Sequence, residues 1–305
     1  MSSLTKVMVS PHIHSGNSTA KVMRDVLISL LPATVAGALI FGVSALIPVF
    51  VCVACCVGFE ALFNVITKKN QTVGDLSAAV TGLLLGLNVP ANIPLWQCAV
   101  GSLFAIIIVK CLFGGLGCNL VNPAITARVF MLVAFGSMAK SAFPVDAVAG
   151  ATPLSGGDMP ALLNAFLGNY GGSIGETCTL ALLIGGIYLL VRKVITWHIP
   201  AVYIGTVFVF SFFMTGFDAL AALSLTMVGG VFLGAFFMAT DYVTSPFTAW
   251  GKVIFAIGAG LITCLIRYFG SYPEGVSFAI LFMNILTPYI NGWTRHKVFA
   301  TGGKK

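Results

Sequence analysis

Long apolar stretches, separated by short polar segments, follow one another along almost the whole chain. Apolar residues make up 58% of its 305 residues and charged residues only 8%, whereas about 25% of the residues in an average soluble domain are charged. A chain with so few polar residues cannot shield its apolar surface within one core that faces water. The sequence therefore predicts an all-α polytopic membrane protein.

Ten of these stretches are apolar enough to be candidate membrane helices. One of them, 76–89, makes a helix of only about 21 Å at about 1.5 Å per residue, whereas a membrane core is about 30 Å thick. Another, 116–136, is interrupted by Asn122-Pro123. Short or broken helices are tolerated in a membrane only where they face protein or a water-filled cavity. The ten stretches are 26–44, 46–66, 76–89, 95–113, 116–136, 174–191, 199–215, 219–238, 249–268 and 274–291.

Two pairs of segments indicate an internal repeat. Leu76–Gly82 is similar to Ala222–Gly229, and Gly101–Ile106 is similar to Gly251–Ile257. Because each half then has five spans, the second copy must be inverted in the membrane. The sequence thus predicts two inverted five-helix repeats, a design found in transporters. A chain biased toward Ala, Gly, Leu and Phe also produces such similarities by chance.

Basic residues cluster at positions that fall on one side of a ten-span protein. Cytoplasmic loops carry an excess of Lys and Arg, so both termini are predicted to be cytoplasmic. The basic positions are Lys21, Arg24, Lys68, Lys69, Arg192, Lys193, Arg295, Lys297, Lys304 and Lys305. The predicted segments are a cytoplasmic tail rather than a cleaved signal peptide at 1–25, a first half at 26–136, an extracytoplasmic loop at 137–173, a second half at 174–291 and a cytoplasmic tail at 292–305.

Two classes of function have no support in the sequence. The net charge of +7 does not indicate nucleic-acid binding, because no basic face with interleaved aromatic residues is present. The eight cysteines all lie within or at the ends of apolar stretches, where cysteine acts as a small apolar residue. No metal site and no catalytic residue is therefore predicted.

The segment Asp146–Ser155 lies in the predicted extracytoplasmic loop. It is polar and rich in small residues, and its Gly150-Ala151-Thr152 presents a hydroxyl beside residues too small to shield it. Gly150 gives the backbone conformational freedom, and Pro153 stiffens the chain that follows. An ordinary Ser/Thr loop contains such a tripeptide by chance, so the tripeptide alone leaves both interpretations open.

Several motifs, taken in order and spacing, are characteristic of one family. They are Gly58-Phe59-Glu60, Asn92–Gln97, Phe113-Gly114-Gly115, Asn122-Pro123-Ala124, Asp146–Ser155, Ala239-Thr240-Asp241 and Tyr272–Gly275. On these motifs the chain resembles the membrane-embedded D subunit of the Rnf electron-transport complex and the related B subunit of the sodium-pumping NADH:quinone oxidoreductase. The Rnf type is favoured because the quinone-reducing subunit carries a longer extension before its first span.

The resemblance implies a cofactor and partners. It implies FMN joined by a phosphoester to the oxygen of Thr152 by a flavin transferase, and a second, noncovalent riboflavin for which the sequence shows no motif. It also implies a complex in the bacterial inner membrane, with other membrane and peripheral Rnf subunits and lipid as partners. In that complex, electron flow between ferredoxin and NAD⁺ is coupled to transport of Na⁺ or H⁺.

The ionisable residue Glu60 lies inside the second predicted span, and Arg128 lies inside the fifth. Such residues are costly in a membrane and indicate function or pairing. Arg128 is a candidate flavin-binding residue, because its guanidinium stays charged and can stabilise a reduced, anionic flavin or a flavin phosphate. The alternatives are a structural ion pair between Glu60 and Arg128, or a side chain that extends to the membrane interface.

Three further carboxylates, on Asp75, Asp241 and Glu274, lie near the ends of short or broken elements. Together with Glu60 they are candidates for an ion path, because carboxylates attract Na⁺ or H⁺ at a membrane entrance. Asp75 and Asp241 can instead cap the helix or turn that follows them. No set of oxygens at a readable ligand spacing defines a sodium site.

The function predicted from the sequence is that of a flavin-carrying membrane subunit of an ion-translocating oxidoreductase. The alternative from another class is a channel or carrier for a small neutral solute, since inverted halves and short helices suit it equally well. Such a channel has no use for the Asp146–Ser155 loop. A scaffold for other redox subunits is a third interpretation if Thr152 is unmodified.

Overall fold

The structure is a computed structural model that describes residues 18–139, 142–144, 154, 160–270 and 275–295. Within these residues the chain forms helices and turns, with one β contact between Ala142 and Gly172. The prediction of an all-α protein is confirmed for this part of the chain. Its twelve α-helices are α1 Thr19–Phe41, α2 Leu46–Ile66, α3 Ser77–Leu87, α4 Leu95–Leu103, α5 Pro123–Ala134, α6 Leu162–Leu167, α7 Thr179–Val191, α8 His198–Met214, α9 Ala219–Met227, α10 Val231–Leu233, α11 Ala249–Phe269 and α12 Val276–Thr294.

Each of the ten predicted spans overlaps at least one of these helices. In the described chain, four helices are long and apolar enough to cross a membrane alone. The helical segments Ala219–Met227 and Val231–Met238, bent by 65°, make a fifth crossing if they act as one span. This is a helical membrane protein, and the total of ten crossings remains a prediction. The four long helices are Thr19–Phe41, Val43–Ile66, Ala249–Phe269 and Val276–Thr294.

The helix α5 begins at Pro123 rather than at residue 116, where the sequence predicts the fifth span. The Asn122 Oδ1 accepts the backbone N–H groups of Ala124 at 3.0 Å and Ile125 at 3.4 Å. Pro123 occupies the first helical position, where no N–H donor is needed. Because Asn122 is buried, the capped start of α5 lies inside the protein.

A second break separates α9 from α10. Gly229 in this break has φ +79°, a conformation that residues with a Cβ rarely adopt. The guanidinium of Arg267 donates to the carbonyl oxygens of Leu225 and Val228, each at 3.1 Å. These bonds satisfy carbonyls at the end of α9 that have no partner within the helix.

Small residues allow the helices to approach one another closely, as is common in membranes. A Cβ added at Gly82 of α3 would lie 2.6 Å from the Val53 Cα of α2, and one at Gly185 of α7 would lie 2.1 Å from the Ser29 oxygen of α1. Between the two predicted halves, α1 packs on α7 and α5 packs on α12. The residues before and after the 137–173 loop therefore form one body of helices.

The outward faces of the long helices are apolar. Leu39 of α1 is 80% exposed, and Trp250 and Trp293 at the adjoining ends of α11 and α12 are 75% and 77% exposed. Monomeric soluble proteins rarely expose apolar surface on this scale. Such faces require an apolar surrounding, in agreement with the composition of the chain.

Candidate functional site

An interhelical cavity lies between the two predicted halves. It encloses an empty volume of about 790 Å³, part of it open to solvent. Its walls are mostly apolar, with polar groups contributed by both halves. The polar side chains that line it are Ser77, Thr81, Lys110, Asn119, Asn122, Thr240, Asp241 and Tyr242.

The Glu60 carboxylate is buried behind this cavity and pairs with Lys110. The Lys110 Nζ lies 2.9 Å from the Glu60 Oε1 and donates to the Ser77 Oγ at 2.6 Å. The Thr72 hydroxyl donates to the same Glu60 oxygen at 2.8 Å. Both charged side chains are 2% exposed, so they form a desolvated ion pair within the membrane protein.

Asp75 and Asp241 lie at the same end of the molecule. The Asp75 carboxylate accepts the backbone N–H of Ser77 at 2.8 Å, and Asp241 accepts the N–H of Val243 and the hydroxyl of Thr244, each at 3.2 Å. Both residues thus make the capping contacts that the sequence allowed. Burial raises the pKa of the Asp241 carboxyl above its usual range, while its two donors oppose the shift.

Tyr242 lies close enough to both carboxylates to be affected by their charges. Burial raises the pKa of its phenol to about 12, and the negative charges of Asp241 and Asp75 add to the shift. Tyr242 also borders a second, basic cavity, with an empty volume of about 1000 Å³, lined by Lys21, Arg192 and Lys193 among others. Basic residues of α1 and of the chain after α7 therefore meet at the end that carries Asp75 and Asp241.

A second buried ion pair lies further from this basic end. The Arg128 guanidinium donates to the Asn88 Oδ1 and lies 3.4 Å from the Glu176 Oε2. Glu176 also accepts the Ser173 N–H at 3.0 Å. A Cβ at Gly230 would lie 3.0 Å from the Glu176 Oε2, so the carboxylate lies close against the backbone at this glycine.

Arg267 lies at the other end of the protein, in the last turn of α11. Apart from its two bonds to carbonyl oxygens, its Nε is buried without a partner, and no carboxylate of the described chain pairs with it. Leu154 packs beside it, since the Leu154 Cδ1 and the Arg267 Nη2 both lie within 3 Å of a Cβ placed on Gly229. Leu154 also packs against a buried cluster that contains Tyr170 and Val228.

The structure places the predicted site residues in two groups. Glu60, Asp75 and Asp241 lie around or behind the interhelical cavity, whereas Arg128 lies deeper, with Glu176. The alternative in which Glu60 pairs with Arg128 is wrong, because each has a different partner of opposite charge. Thr152 and Glu274 lie outside the described residues.

Sequence reasoning missed Lys110, Glu176 and Arg267. All three lie within predicted spans, so the rule that singled out Glu60 and Arg128 applies to them equally. What the sequence could not supply is the pairing, since Lys110 and Glu60 are 50 residues apart and Arg128 and Glu176 are 48 residues apart.

The interhelical cavity has the chemistry that a noncovalent flavin requires. Pockets for such ligands are mostly apolar, with a few polar groups that fix orientation. Here Val80, Leu84 and Phe236 offer apolar walls, and Asn119 and Thr81 lie among the polar groups able to bond to a ring edge. The residues present therefore fit such a group. At the other end, the guanidinium of Arg267 is suited to an anion.

These features define a class of protein: a helical membrane protein with buried ion pairs and a polar cavity between its halves. Comparison with known proteins gives the family. A family model described as the NQR2, RnfD, RnfE family matches residues 6–300, and the chain belongs to that family.

Three relatives show how similar the chain is to known members. It is 48% identical to the D subunit of the Na⁺-translocating ferredoxin:NAD⁺ oxidoreductase complex of Acetobacterium woodii, over 96% of this chain and 95% of the relative. It is 42% identical to the D subunit of the proton-translocating ferredoxin:NAD⁺ oxidoreductase complex of Clostridium ljungdahlii, over 96% and 95%. It is 33% identical to the D subunit of the ion-translocating oxidoreductase complex of Actinobacillus succinogenes, over 97% and 98%.

Proposed function

We propose that this protein is the flavin-carrying membrane subunit of an ion-translocating ferredoxin:NAD⁺ oxidoreductase complex. The observation that carries the proposal is the similarity over nearly the whole chain to the D subunits of such complexes. Flavins supply the electron-transfer chemistry, while the protein supplies position, electrostatics and exclusion of water. The complex resides in the bacterial inner membrane, and its other membrane and peripheral subunits and lipid are the partners.

The first flavin is FMN, bound covalently through the Thr152 hydroxyl after the action of a flavin transferase. The support within the described chain is Leu154, which follows Thr152 by two residues and packs beside Arg267. Arg128 is balanced by Glu176, so Arg267 is the better candidate to attract the flavin phosphate or the reduced ring. The role of Arg267 is tested by measuring the midpoint potential of the flavin in Arg267→Met. A potential equal to that of the wild type would exclude the flavin ring as the group that Arg267 stabilises.

The second flavin is a noncovalent riboflavin in the interhelical cavity. The apolar walls would hold the ring, and Ser77, Thr81 and Asn119 would bond to its polar edge or to its ribityl hydroxyls. Thr81→Phe should reduce extractable riboflavin while leaving the flavin that resists extraction unchanged. Equal riboflavin in this variant and the wild type would place it elsewhere.

The topology is ten crossings in two inverted halves, with both termini cytoplasmic and the 137–173 loop outside. Two observations support it. The first helices of the two halves, α1 and α7, pack on each other, and so do the fifth helices, α5 and α12, as expected around a twofold axis. Lys21, Arg192 and Lys193 also share one end. A reporter fused after Lys305 that is active only outside the cytoplasm would contradict this topology.

Intact-mass measurement of the purified subunit tests the cofactor directly. A subunit with covalent FMN should be heavier than its sequence by one FMN residue, and the added mass should map to the peptide that contains Thr152. A mass equal to that of the unmodified chain would contradict covalent FMN. It would favour the interpretation of this subunit as a scaffold for other redox subunits.

Glu60, Asp241, Asp75 and Glu274 form the proposed ion path, with Glu60 and Asp241 as its main carboxylates. Glu60→Gln and Asp241→Asn should each lower Na⁺-dependent electron transfer in the assembled complex by about tenfold or more, an effect of about 1.4 kcal/mol, at unchanged covalent flavin. The reason is that each variant removes a negative charge that would hold a cation in a poorly solvated site.

Asp218→Asn is the matched control for these variants. Asp218 caps α9 through the N–H groups of Leu220 and Ala221, a task that Asn performs equally well. If sodium dependence in the Glu60 and Asp241 variants equals that of this control, neither residue belongs to the ion path.

A further inference from the structure

The Glu60 carboxylate has one oxygen that nothing in the described chain satisfies. Its Oε1 accepts bonds from Lys110 and Thr72, whereas its Oε2 is buried and has no partner. A buried acceptor without a donor destabilises the folded protein, and more so when the group is charged. The Glu60 Oε2 is therefore the oxygen of this carboxylate that is open to a further donor or a cation.

Lys110 belongs to both the ion pair and the interhelical cavity. Its Nζ bridges the Glu60 Oε1 and the Ser77 Oγ, and its side chain lines the cavity wall. Lysine carries a compact charge on a flexible four-carbon stem. Rotation about this stem gives the ammonium a way to exchange one partner for another at the cavity wall.

Asp241 offers a second carboxylate on the wall of the same cavity. It receives one N–H and one hydroxyl donor and makes no ion pair within the described chain. Lys110 and Asp241 are the charged side chains that line this cavity, and the Glu60 carboxylate lies behind Lys110. Lys110 therefore has one carboxylate partner behind the cavity wall and a second candidate partner on the wall itself.

We propose that the Lys110 ammonium is a tethered counter-cation. It pairs with the Glu60 carboxylate until the transported cation binds there and displaces it toward Asp241. With the cation on Glu60 and the ammonium on Asp241, both carboxylates are neutralised. The cation binds through the Glu60 Oε2, with the Thr72 hydroxyl nearby, because carboxylate and hydroxyl oxygens suit hard cations. This role rests on the ion coupling proposed above. It makes Lys110 a positioning residue that sets cation affinity.

The test compares Lys110→Met and Lys110→Arg in the assembled complex, with NaCl titrated against choline chloride at pH 7 and pH 9. Removing the tethered competitor in Lys110→Met should lower the half-saturating Na⁺ concentration by at least about tenfold at one or both pH values. The pH 9 series is included so that Glu60, if protonated after the loss of Lys110, is ionised again during the Na⁺ titration. Lys110→Arg retains a competing cation and should stay within about threefold of the wild type.

A structural role alone would lower folded yield and maximal rate without lowering the half-saturating Na⁺ concentration. Unchanged or raised Na⁺ requirement in Lys110→Met, with flavin at full occupancy, would overturn the proposal. Should Lys110→Met fail to fold, the wild-type complex provides the second measurement. Na⁺ should then accelerate acetylation of Lys110 by a small succinimidyl ester, read by peptide mass spectrometry, and Lys252 serves as the exposed reference amine. No change in the ratio of the two rates would also overturn it.

Failure of this inference is distinguishable from failure of the proposed function. A wild-type complex that transfers electrons from ferredoxin to NAD⁺ with no response to Na⁺ would remove the role of Lys110 and leave the flavin function standing. A wild-type subunit without covalent flavin would instead remove the function itself.

Discussion

Thr152→Ala should remove all covalently bound flavin from the subunit. The phosphoester needs a hydroxyl oxygen, and alanine offers none, so the expected loss is complete rather than graded. The measurement is in-gel flavin fluorescence after denaturing electrophoresis, in which only covalent flavin stays with the band. Electron transfer by the assembled complex should fall in parallel, because a carrier is lost from the chain of cofactors.

Ser155→Ala is the matched control for this variant, since it removes a hydroxyl from the same loop three residues away. Fluorescence should persist in Ser155→Ala and, more weakly, in Thr152→Ser, which keeps an oxygen. A fluorescent Thr152→Ala band would move the attachment to another residue. Fluorescence absent from the wild type as well would refute covalent flavin altogether.

Breaking the Arg128–Glu176 pair should have the largest effect on stability. Glu176 and Arg128 are 1% and 5% exposed, and removal of one partner leaves the other charge buried and uncompensated. Loss of one partner of such a pair costs about 3–5 kcal/mol. Glu176→Gln and Arg128→Met should therefore each reduce the yield of folded subunit in detergent and lower its midpoint of thermal unfolding.

Two comparisons make this result specific. The double variant Arg128→Met/Glu176→Met carries no unpaired charge, so it should recover most of the lost stability. Arg192→Gln breaks the pair with Asp25, but the Arg192 side chain is 44% exposed and the Asp25 carboxylate keeps the Tyr188 hydroxyl as a donor, so the loss of stability should be smaller. Equal losses in the Arg128 and Arg192 variants would show that burial of the pair does not determine its contribution.

The sequence predicts the helices better than it predicts their contacts. The second span, 46–66, coincides with α2, because a continuous apolar run has only one favourable structure in a membrane. The predicted fifth span is too long at its start, although the Asn122-Pro123 pair already indicates a helix start there. Local signals of this kind depend only on a few neighbouring residues, so a single sequence is enough to reveal them.

The composition of the candidate site depends on contacts that a single sequence does not display. The sequence identifies Glu60 as a costly intramembrane charge and offers Arg128 as its partner, but the pair that forms is with Lys110. Any of several cationic side chains inside the predicted spans satisfies the rule that a buried carboxylate needs a partner of opposite charge. Only the close approach of α2 to the chain after α4 selects Lys110. That the Glu60 Oε2 has no partner in the described chain follows from that approach, so this too required the structure.

The Asn88–Arg128–Glu176 group bears on the leakage of cations through the interior of the subunit. A subunit that admits cations to a cavity at one end must not let them run down the membrane potential through its own interior. Beyond the cavity, such a cation meets Arg128 and Glu176, which already neutralise each other, so this group offers it no uncompensated negative charge. Electrons need no continuous water-filled path. If flavins and cations bind as proposed, electrons can therefore cross between the two ends of the molecule where the Arg128–Glu176 pair gives a cation no site to occupy.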